Sequence, residues 1–274
     1  IDSKDALIKF ANAVADGSFA TSYTTAAVVA NIDMTGYDWA PIEGFNGFTF
    51  DGGKASGYAI NGLNAPLFGS TNSTIQNVDL TNVNIASNGR FSLGAVVCEL
   101  NAEGAISNCH TSGTITANNA DFSIPEDVDH ITGVRFAGIV GFSAGDITDC
   151  HNEINITVNQ LAKSDTAKAY HIGLGGIVGY STSTGKLTNC VNGNEAKTTG
   201  LIKYLDNTAS MLHVPHIGGI AGFRSTSNNL ELSNNTNYGA IEFNANAAGN
   251  GTGSYESTSI GGITGSTQGI LNNN

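Results

Sequence analysis

A pattern of small and aliphatic residues recurs five times along this sequence, and such internal repetition constrains the fold more than any other feature. The aligned second glycines of successive copies lie 44, 38, 43 and 43 residues apart. The copies are SLGAVV at Ser92–Val97, FAGIVGF at Phe136–Phe142, LGGIVGY at Leu174–Tyr180, IGGIAGF at Ile217–Phe223 and IGGITGS at Ile260–Ser266. A unit of this length cannot bury its apolar side alone, so we expect successive copies to stack and share one core.

A second motif follows the glycine motif in each repeat, after a turn. Its copies are AISNCHTSGTI at Ala105–Ile115, DITDCHNEINI at Asp146–Ile156, KLTNCVNGN at Lys186–Asn194 and ELSNNTNYGAI at Glu231–Ile241. Short β-branched runs between turn formers predict two or three strands per repeat. Because Asn and Asp tolerate the left-handed conformation, we expect a bend at Asn108, Asp149 and Asn189.

These repeats predict an all-β fold, a right-handed parallel β-helix of about six stacked units. The chain before them differs, because its apolar residues follow helical spacing. These residues are Leu7, Phe10, Ala11 and Val14. Ser3 is the expected N-cap, and Gly17 can end the helix. We therefore expect a short capping helix with its lead-in over residues 1–25 and the β-helix over residues 26–274.

The composition argues against two classes of partner. The net charge is −12, and only 11 of the 274 residues are Lys or Arg. We therefore expect no basic surface that could follow a nucleic acid or an anionic membrane. No apolar run approaches the roughly 20 residues that a membrane-spanning helix needs.

The number of cysteines would permit disulfides. The four are Cys98, Cys109, Cys150 and Cys190. Three of them, Cys109, Cys150 and Cys190, share one repeat position, which is occupied by Val78 in an earlier copy. Side chains stacked in register point parallel to one another, which is the wrong geometry for a disulfide. We therefore predict a ladder of reduced thiols in the core.

Further motifs surround the repeats. They are ANIDMTGYDWAPI at Ala30–Ile42, FDGG at Phe50–Gly53 and YAINGL at Tyr58–Leu63. With the recurring GGIVGY and LTNCVN segments, they resemble the GLUG-motif β-helical surface proteins of Bacteroidetes and related bacteria. Such repeats occur in surface lipoproteins, in adhesin-like proteins and as non-catalytic parts of IgA-peptidase-like proteins. The resemblance implies an exported bacterial protein, extracellular or on the outer cell surface, lipid-anchored or part of a longer exported chain.

On this reading the protein is an adhesin that binds a host or bacterial surface glycan or protein, without catalysis. Loops of varying length join the repeats, and such loops commonly carry binding. The expected ligand-binding residues are Tyr170, His171, Tyr204, His213 and His216. The alternative is a structural protein that assembles end to end through its open C-terminal coil.

One loop concentrates acidic side chains. Asp121, Glu126, Asp127 and Asp129 form a candidate Ca²⁺ site, because Ca²⁺ binds six to eight oxygen ligands. The loop lacks the DxDxDG spacing, so a solvated acidic loop is the alternative. No other cofactor is expected.

Polysaccharide lyases and glycoside hydrolases also use β-helices, which makes an enzyme a further alternative. A hydrolase needs two carboxylates that flank the sugar bond, and a lyase needs a base with a cation or metal. The aligned outward positions here are mostly Ser, Thr, Asn and Gly. We therefore expect no enzymatic activity.

Overall fold

The computed structural model of the chain describes residues 1–87, 89, 91–118, 133–160, 170–182, 185–206, 213–224, 231–245, 259–266 and 270–272. These residues form 28 strands, two α-helices and one 3-10 helix at Lys54–Ser56. The fold is therefore mostly β. In the described part of the chain, no helix is long and apolar enough to cross a membrane.

The strands form four parallel sheets. The eight-stranded sheet contains Thr25–Ala27, Thr49–Asp51, Thr74–Gln76, Ala105–Ser107, Asp146–Thr148, Leu187–Thr188, Glu231–Ser233 and Ile270–Asn272. The nine-stranded sheet contains Ile32–Asp33, Ile60–Asn61, Asp79–Ala86, His110–Asn118, His151–Gln160, Val191–Asn192, Ile202–Asp206, Thr236–Asn237 and Ile241–Ala245. The five-stranded sheet contains Ser92–Gly94, Val134–Ala137, Tyr170–Gly175, His213–Gly218 and Ser259–Gly261. The six-stranded sheet contains Phe68–Thr71, Val97–Leu100, Val140–Ser143, Val178–Ser181, Ala221–Arg224 and Thr264–Ser266.

This arrangement corrects the predicted architecture. The single right-handed β-helix with two or three strands per repeat is wrong, because the strands are sorted into four parallel sheets of five to nine strands. A complete repeat contributes a strand to each of the four sheets in turn. Asp146–Thr148, for example, is followed by His151–Gln160, Tyr170–Gly175 and Val178–Ser181. The extra strand arises because turns and bends divide each repeat at more places than periodicity reveals.

One of these divisions is the expected bend before the cysteine position. Asn108, Asp149 and Asn189 have φ angles of 51°, 55° and 57°, in the left-handed region. Their side chains also connect neighbouring repeats, since Asn189 donates a hydrogen bond to Asp149 at 3.0 Å. The predicted bend is confirmed, and it separates the eight-stranded sheet from the nine-stranded sheet.

The second glycine of the repeated motif lies against a ladder of buried asparagines. A Cβ atom added at Gly176 would come within 3.0 Å of the Asn192 side chain. The Asn192 amide accepts a hydrogen bond from Asn152 at 2.7 Å and donates one to Asn237 at 2.8 Å. Asn152 and Asn192 are fully buried. The glycine is therefore required by its close approach to this ladder and to the Gly219 carbonyl oxygen of the next repeat.

A single apolar core extends from Leu7 in the N-terminal helix to Leu232 in the strand Glu231–Ser233. The helix Lys4–Ala15 begins after Ser3, whose Oγ accepts the Ala6 N–H, and Gly17 follows it in the left-handed conformation. Leu7 and Phe10 are buried. The predicted helix and its cap are confirmed, and the division at residue 25 stays a prediction.

Candidate functional site

Two rows of side chains lie next to each other where the five-stranded and six-stranded sheets meet. The row on the six-stranded sheet consists of Ser70, Glu99, Phe142, Tyr180 and Phe223, which are aligned by the strand register. The row on the five-stranded sheet consists of Ser92, Arg135, Gly173, His216 and Ser259. We call these two rows, together with His171, the strip. The strip brings charged, aromatic and imidazole groups together where the two sheets meet; Arg135, Tyr180 and His216 are buried there, and Glu99, Phe142 and Phe223 are half-buried.

Arg135 connects the two rows. Its guanidinium lies 4.7 Å from the ring centroid of Phe142 and 6.0 Å from that of Tyr180, and Nη1 lies 3.8 Å from Oε1 of Glu99. Only 8% of the residue is exposed. This burial lowers the pKa of Arg135, and the nearby Glu99 carboxylate opposes that effect. An arginine with a lowered pKa is still cationic at neutral pH, so Arg135 supplies a fixed positive charge.

The other end of the strip contains a chain of three hydrogen-bonded residues from three repeats. His171 Nδ1 lies 2.7 Å from His216 Nε2, and His216 Nδ1 lies 2.5 Å from Ser259 Oγ. The imidazole rings stack with centroids 4.9 Å apart, and the Phe223 ring packs against His216 at 4.6 Å. Burial, together with the charge of His171, lowers the pKa of His216 to about 4. His216 is therefore neutral at neutral pH.

A cleft of about 350 Å³ opens at the first end of the strip, where Ser70, Ser92 and Glu99 lie. Its lining residues are Glu43, Gly69, Ser70, Gly89, Phe91, Ser92, Cys98 and Glu99. The Glu43 carboxylate accepts the backbone N–H of Ser70 at 3.1 Å. A Cβ at Gly69 would overlap that carboxylate, so glycine is needed to seat Glu43 at the rim.

The residues predicted to bind a ligand are not all in one place. His171 and His216 lie in the strip. Tyr170 and His213 are paired in the same five-stranded sheet, one position before the His171 pairing. Tyr204 is fully buried and stacks on Phe243 at 5.6 Å in the nine-stranded sheet. The predicted calcium ligands Asp121, Glu126, Asp127 and Asp129 lie outside the described residues.

The cysteines are internal. All four are free and buried. The thiols of Cys109, Cys150 and Cys190 lie 3.3, 3.2 and 3.3 Å from the carbonyl oxygens two residues before them. Burial raises the pKa of Cys109 and Cys190, which keeps these thiols protonated.

A second titratable cluster, which the sequence analysis did not single out, lies on the nine-stranded sheet. His110 Nδ1 contacts Asp79 at 2.7 Å, and His110 Nε2 lies 3.6 Å from Glu153. His151 Nε2 lies 2.9 Å from the carbonyl oxygen of Gly193. The register could have revealed Asp79, because it occupies the His110 position one repeat earlier. Across the described ranges, no group of three or more His, Cys, Asp or Glu side chains is placed to hold a metal ion.

Two comparisons with known proteins give matches. Residues 6–113, less than half of the chain, match the family model of the M26 IgA1-specific metallo-endopeptidase N-terminal region. The crystal structure of a "putative immunoglobulin A1 protease" from Bacteroides ovatus is similar to this chain, with a TM-score of 0.66 and 17% sequence identity. The match covers the whole of this chain and 73% of the Bacteroides ovatus chain. This likeness shows a shared fold. No match is found among curated proteins.

These findings overturn the expected family and function. The resemblance to GLUG-motif proteins is wrong, because the matching family model is that of the M26 N-terminal region. The expectation of a non-catalytic adhesin is also wrong, since the matching family model is that of an IgA1-specific metallo-endopeptidase N-terminal region.

Proposed function

We propose that this chain works in an IgA1 protease-like metallo-endopeptidase, in which it engages the immunoglobulin A1 polypeptide. The match of residues 6–113 to the N-terminal region of IgA1-specific metallo-endopeptidases carries this proposal. The similarity of the whole chain to the Bacteroides ovatus structure supports it.

The strip is the surface that we assign to the polypeptide. From Glu99 to Ser259 it crosses four strand spacings of about 4.8 Å, roughly 19 Å in total. An extended polypeptide of about six residues has this length, at roughly 3.3 Å per residue. The half-buried groups of the strip are the Glu99 carboxylate, the rings of Phe142 and Phe223 and the Ser259 hydroxyl, so charged, apolar and hydrogen-bonding groups of a peptide would all find partners.

The name of the matched family implies a metal, and zinc in metallopeptidases typically has three protein ligands. The described residues do not fit such a site. His110, His151 and Glu153 lie near one another, but His110 Nδ1 contacts Asp79 and His151 Nε2 contacts a backbone carbonyl oxygen, and no three His, Cys, Asp or Glu side chains among the described residues are placed to hold a metal ion. We therefore assign the metal centre to a part of the protein outside the described residues and derive no step of the reaction from it.

Binding of immunoglobulin A1 to the immobilised chain tests the proposal. We expect saturable binding, and the Phe142→Ala variant should weaken it by about tenfold, since buried aromatic anchors dominate such interfaces. Phe243→Ala is the matched control, because it also removes a half-buried stacked ring, but on the nine-stranded sheet. Absence of binding, or an equal loss in both variants, would overturn the proposal.

A further inference from the structure

The cleft at the first end of the strip has carboxylates on its rim and an aromatic ring in its wall. Glu43 and Glu99 flank Ser70, since Glu43 accepts the Ser70 N–H and Glu99 pairs with Ser70 in the register. Phe91 lines the same cleft. We propose that this cleft binds the side chain of a lysine or arginine of a polypeptide partner. The inference rests on the proposed function only for the polypeptide as the source of that side chain.

The charges at the cleft favour a cation. Glu99 lies 3.8 Å from Arg135, longer than the roughly 2.7–2.9 Å of a charge-assisted hydrogen bond. The Arg135 guanidinium also lies over the ring of Phe142, 4.7 Å from the ring centroid. Among the described residues, the carboxylates of Glu43 and Glu99 line the cleft and only Glu99 is paired with a guanidinium, that of Arg135, and the net charge of −12 adds to the attraction for a cationic partner.

The wall of the cleft suits the rest of a basic side chain. The Arg135 guanidinium already lies 5.7 Å from the Phe91 ring centroid, which shows that this ring accepts a neighbouring cation. The volume of about 350 Å³ is at the lower end of the roughly 300–1,000 Å³ range of ligand sites, so it fits one side chain. An inserted lysine or arginine would lay its aliphatic stem on Phe91 and direct its charge to the rim.

A divalent cation fits this cleft less well. Calcium takes six to eight oxygen ligands, whereas the side-chain oxygens that line the cleft come from two glutamates and two serines. The Ser92 hydroxyl is already donated to the Cys98 carbonyl at 2.8 Å. The lining therefore favours an organic cation that needs few oxygen partners.

The test is an NMR titration of the full chain with capped pentapeptides that carry arginine, lysine or citrulline at the central position. Citrulline has nearly the shape of arginine but no charge. We expect arginine and lysine peptides to shift the amides of Gly69, Ser70 and Glu99 saturably, and citrulline to bind about tenfold more weakly or not at all. Added salt should weaken binding, because the cleft is open to solvent.

Variants locate the site. Glu43→Gln and Glu99→Gln should each weaken arginine binding by about tenfold, while glutamine at position 43 can still accept the Ser70 N–H. Glu195→Gln is the control, since it removes the same charge from an exposed position away from the cleft. Equal binding of citrulline and arginine, shifts confined to other residues, or displacement of the peptide by stoichiometric calcium would overturn the inference.

These peptides separate the inference from the proposed function. Binding of arginine peptides without binding of immunoglobulin A1 would leave the cleft assignment intact and remove the proposed substrate. Binding of immunoglobulin A1 with no preference for cationic peptides would remove the cleft assignment and leave the proposed function intact.

Discussion

The contact between the repeat glycine and the buried asparagine ladder leads to a prediction with a control built into the sequence. In Gly176→Ala, the new Cβ would lie within 3.0 Å of both the Asn192 side chain and the Gly219 carbonyl oxygen. In Gly262→Ala, at the equivalent position of the last repeat, the new Cβ would meet no heavy atom of the described residues within 4 Å. The same substitution should therefore have very different effects at the two positions.

The expected cost at Gly176 has two parts. Overpacking a close contact costs about 1–3 kcal/mol. Displacing Asn192 also weakens its bonds to Asn152, Asn237 and the Gly200 carbonyl, and leaving a buried polar group unsatisfied costs about 1–3 kcal/mol. Gly176→Ala should thus lower the free energy of unfolding by about 2–6 kcal/mol. Gly262→Ala should change it by less than about 0.5 kcal/mol.

Urea denaturation followed by circular dichroism measures this difference. The comparison holds if the unfolding free energy of both variants depends on urea concentration with the same slope as that of the wild-type protein. The reasoning would be refuted by equal stabilities of the two variants. It would also be refuted if Gly176→Ala in an Asn192→Ala background remained as costly as in the wild type, because the clash would then not involve the asparagine ladder.

Three further predictions follow from buried groups. Because the pKa of His216 is lowered to about 4, the unfolded chain binds a proton at this residue between about pH 6.5 and 4 that the folded chain does not. The free energy of unfolding, measured by chemical denaturation, should therefore fall as the pH drops through this range. The fall should be roughly 2 kcal/mol larger than in His216→Phe. Thiol titration should detect all four cysteines in denatured protein without reductant and almost none in native protein. Asn192→Ala should cost about 3 kcal/mol, because Asn192 makes three buried side-chain hydrogen bonds, whereas Asn194→Ala, in an exposed turn, should cost less than about 1 kcal/mol.

Local features were predictable from the sequence because short-range chemistry determines them. Ser3 at the helix start and Asn108, Asp149 and Asn189 in the left-handed conformation follow from the preferences of these residue types. The number of strands per repeat did not follow, because periodicity does not show how many turns divide about forty residues.

Features that depend on two repeats at once could not be found in this way. Asn152, Asn192 and Asn237 lie two positions after the cysteine position and so on the same face, but a buried amide is stable only when its neighbour satisfies it. The contact of Glu99 with Arg135 joins two different sheets, and no local pattern records it. Tyr204 was expected to bind a ligand from a loop, whereas pairing with Val158 and Phe243 places it in the nine-stranded sheet, where it is fully buried.

Cleavage of immunoglobulin A1 by the protein that carries this chain tests the proposed function most directly. The reaction would be followed by mass spectrometry of the heavy chain, with and without a zinc chelator and after addition of zinc back to the chelated protein. The account predicts discrete heavy-chain fragments that disappear with the chelator, return with zinc, and decrease when Phe142 is replaced by alanine. Intact heavy chain under all conditions, or cleavage that is indifferent to the chelator, would contradict it.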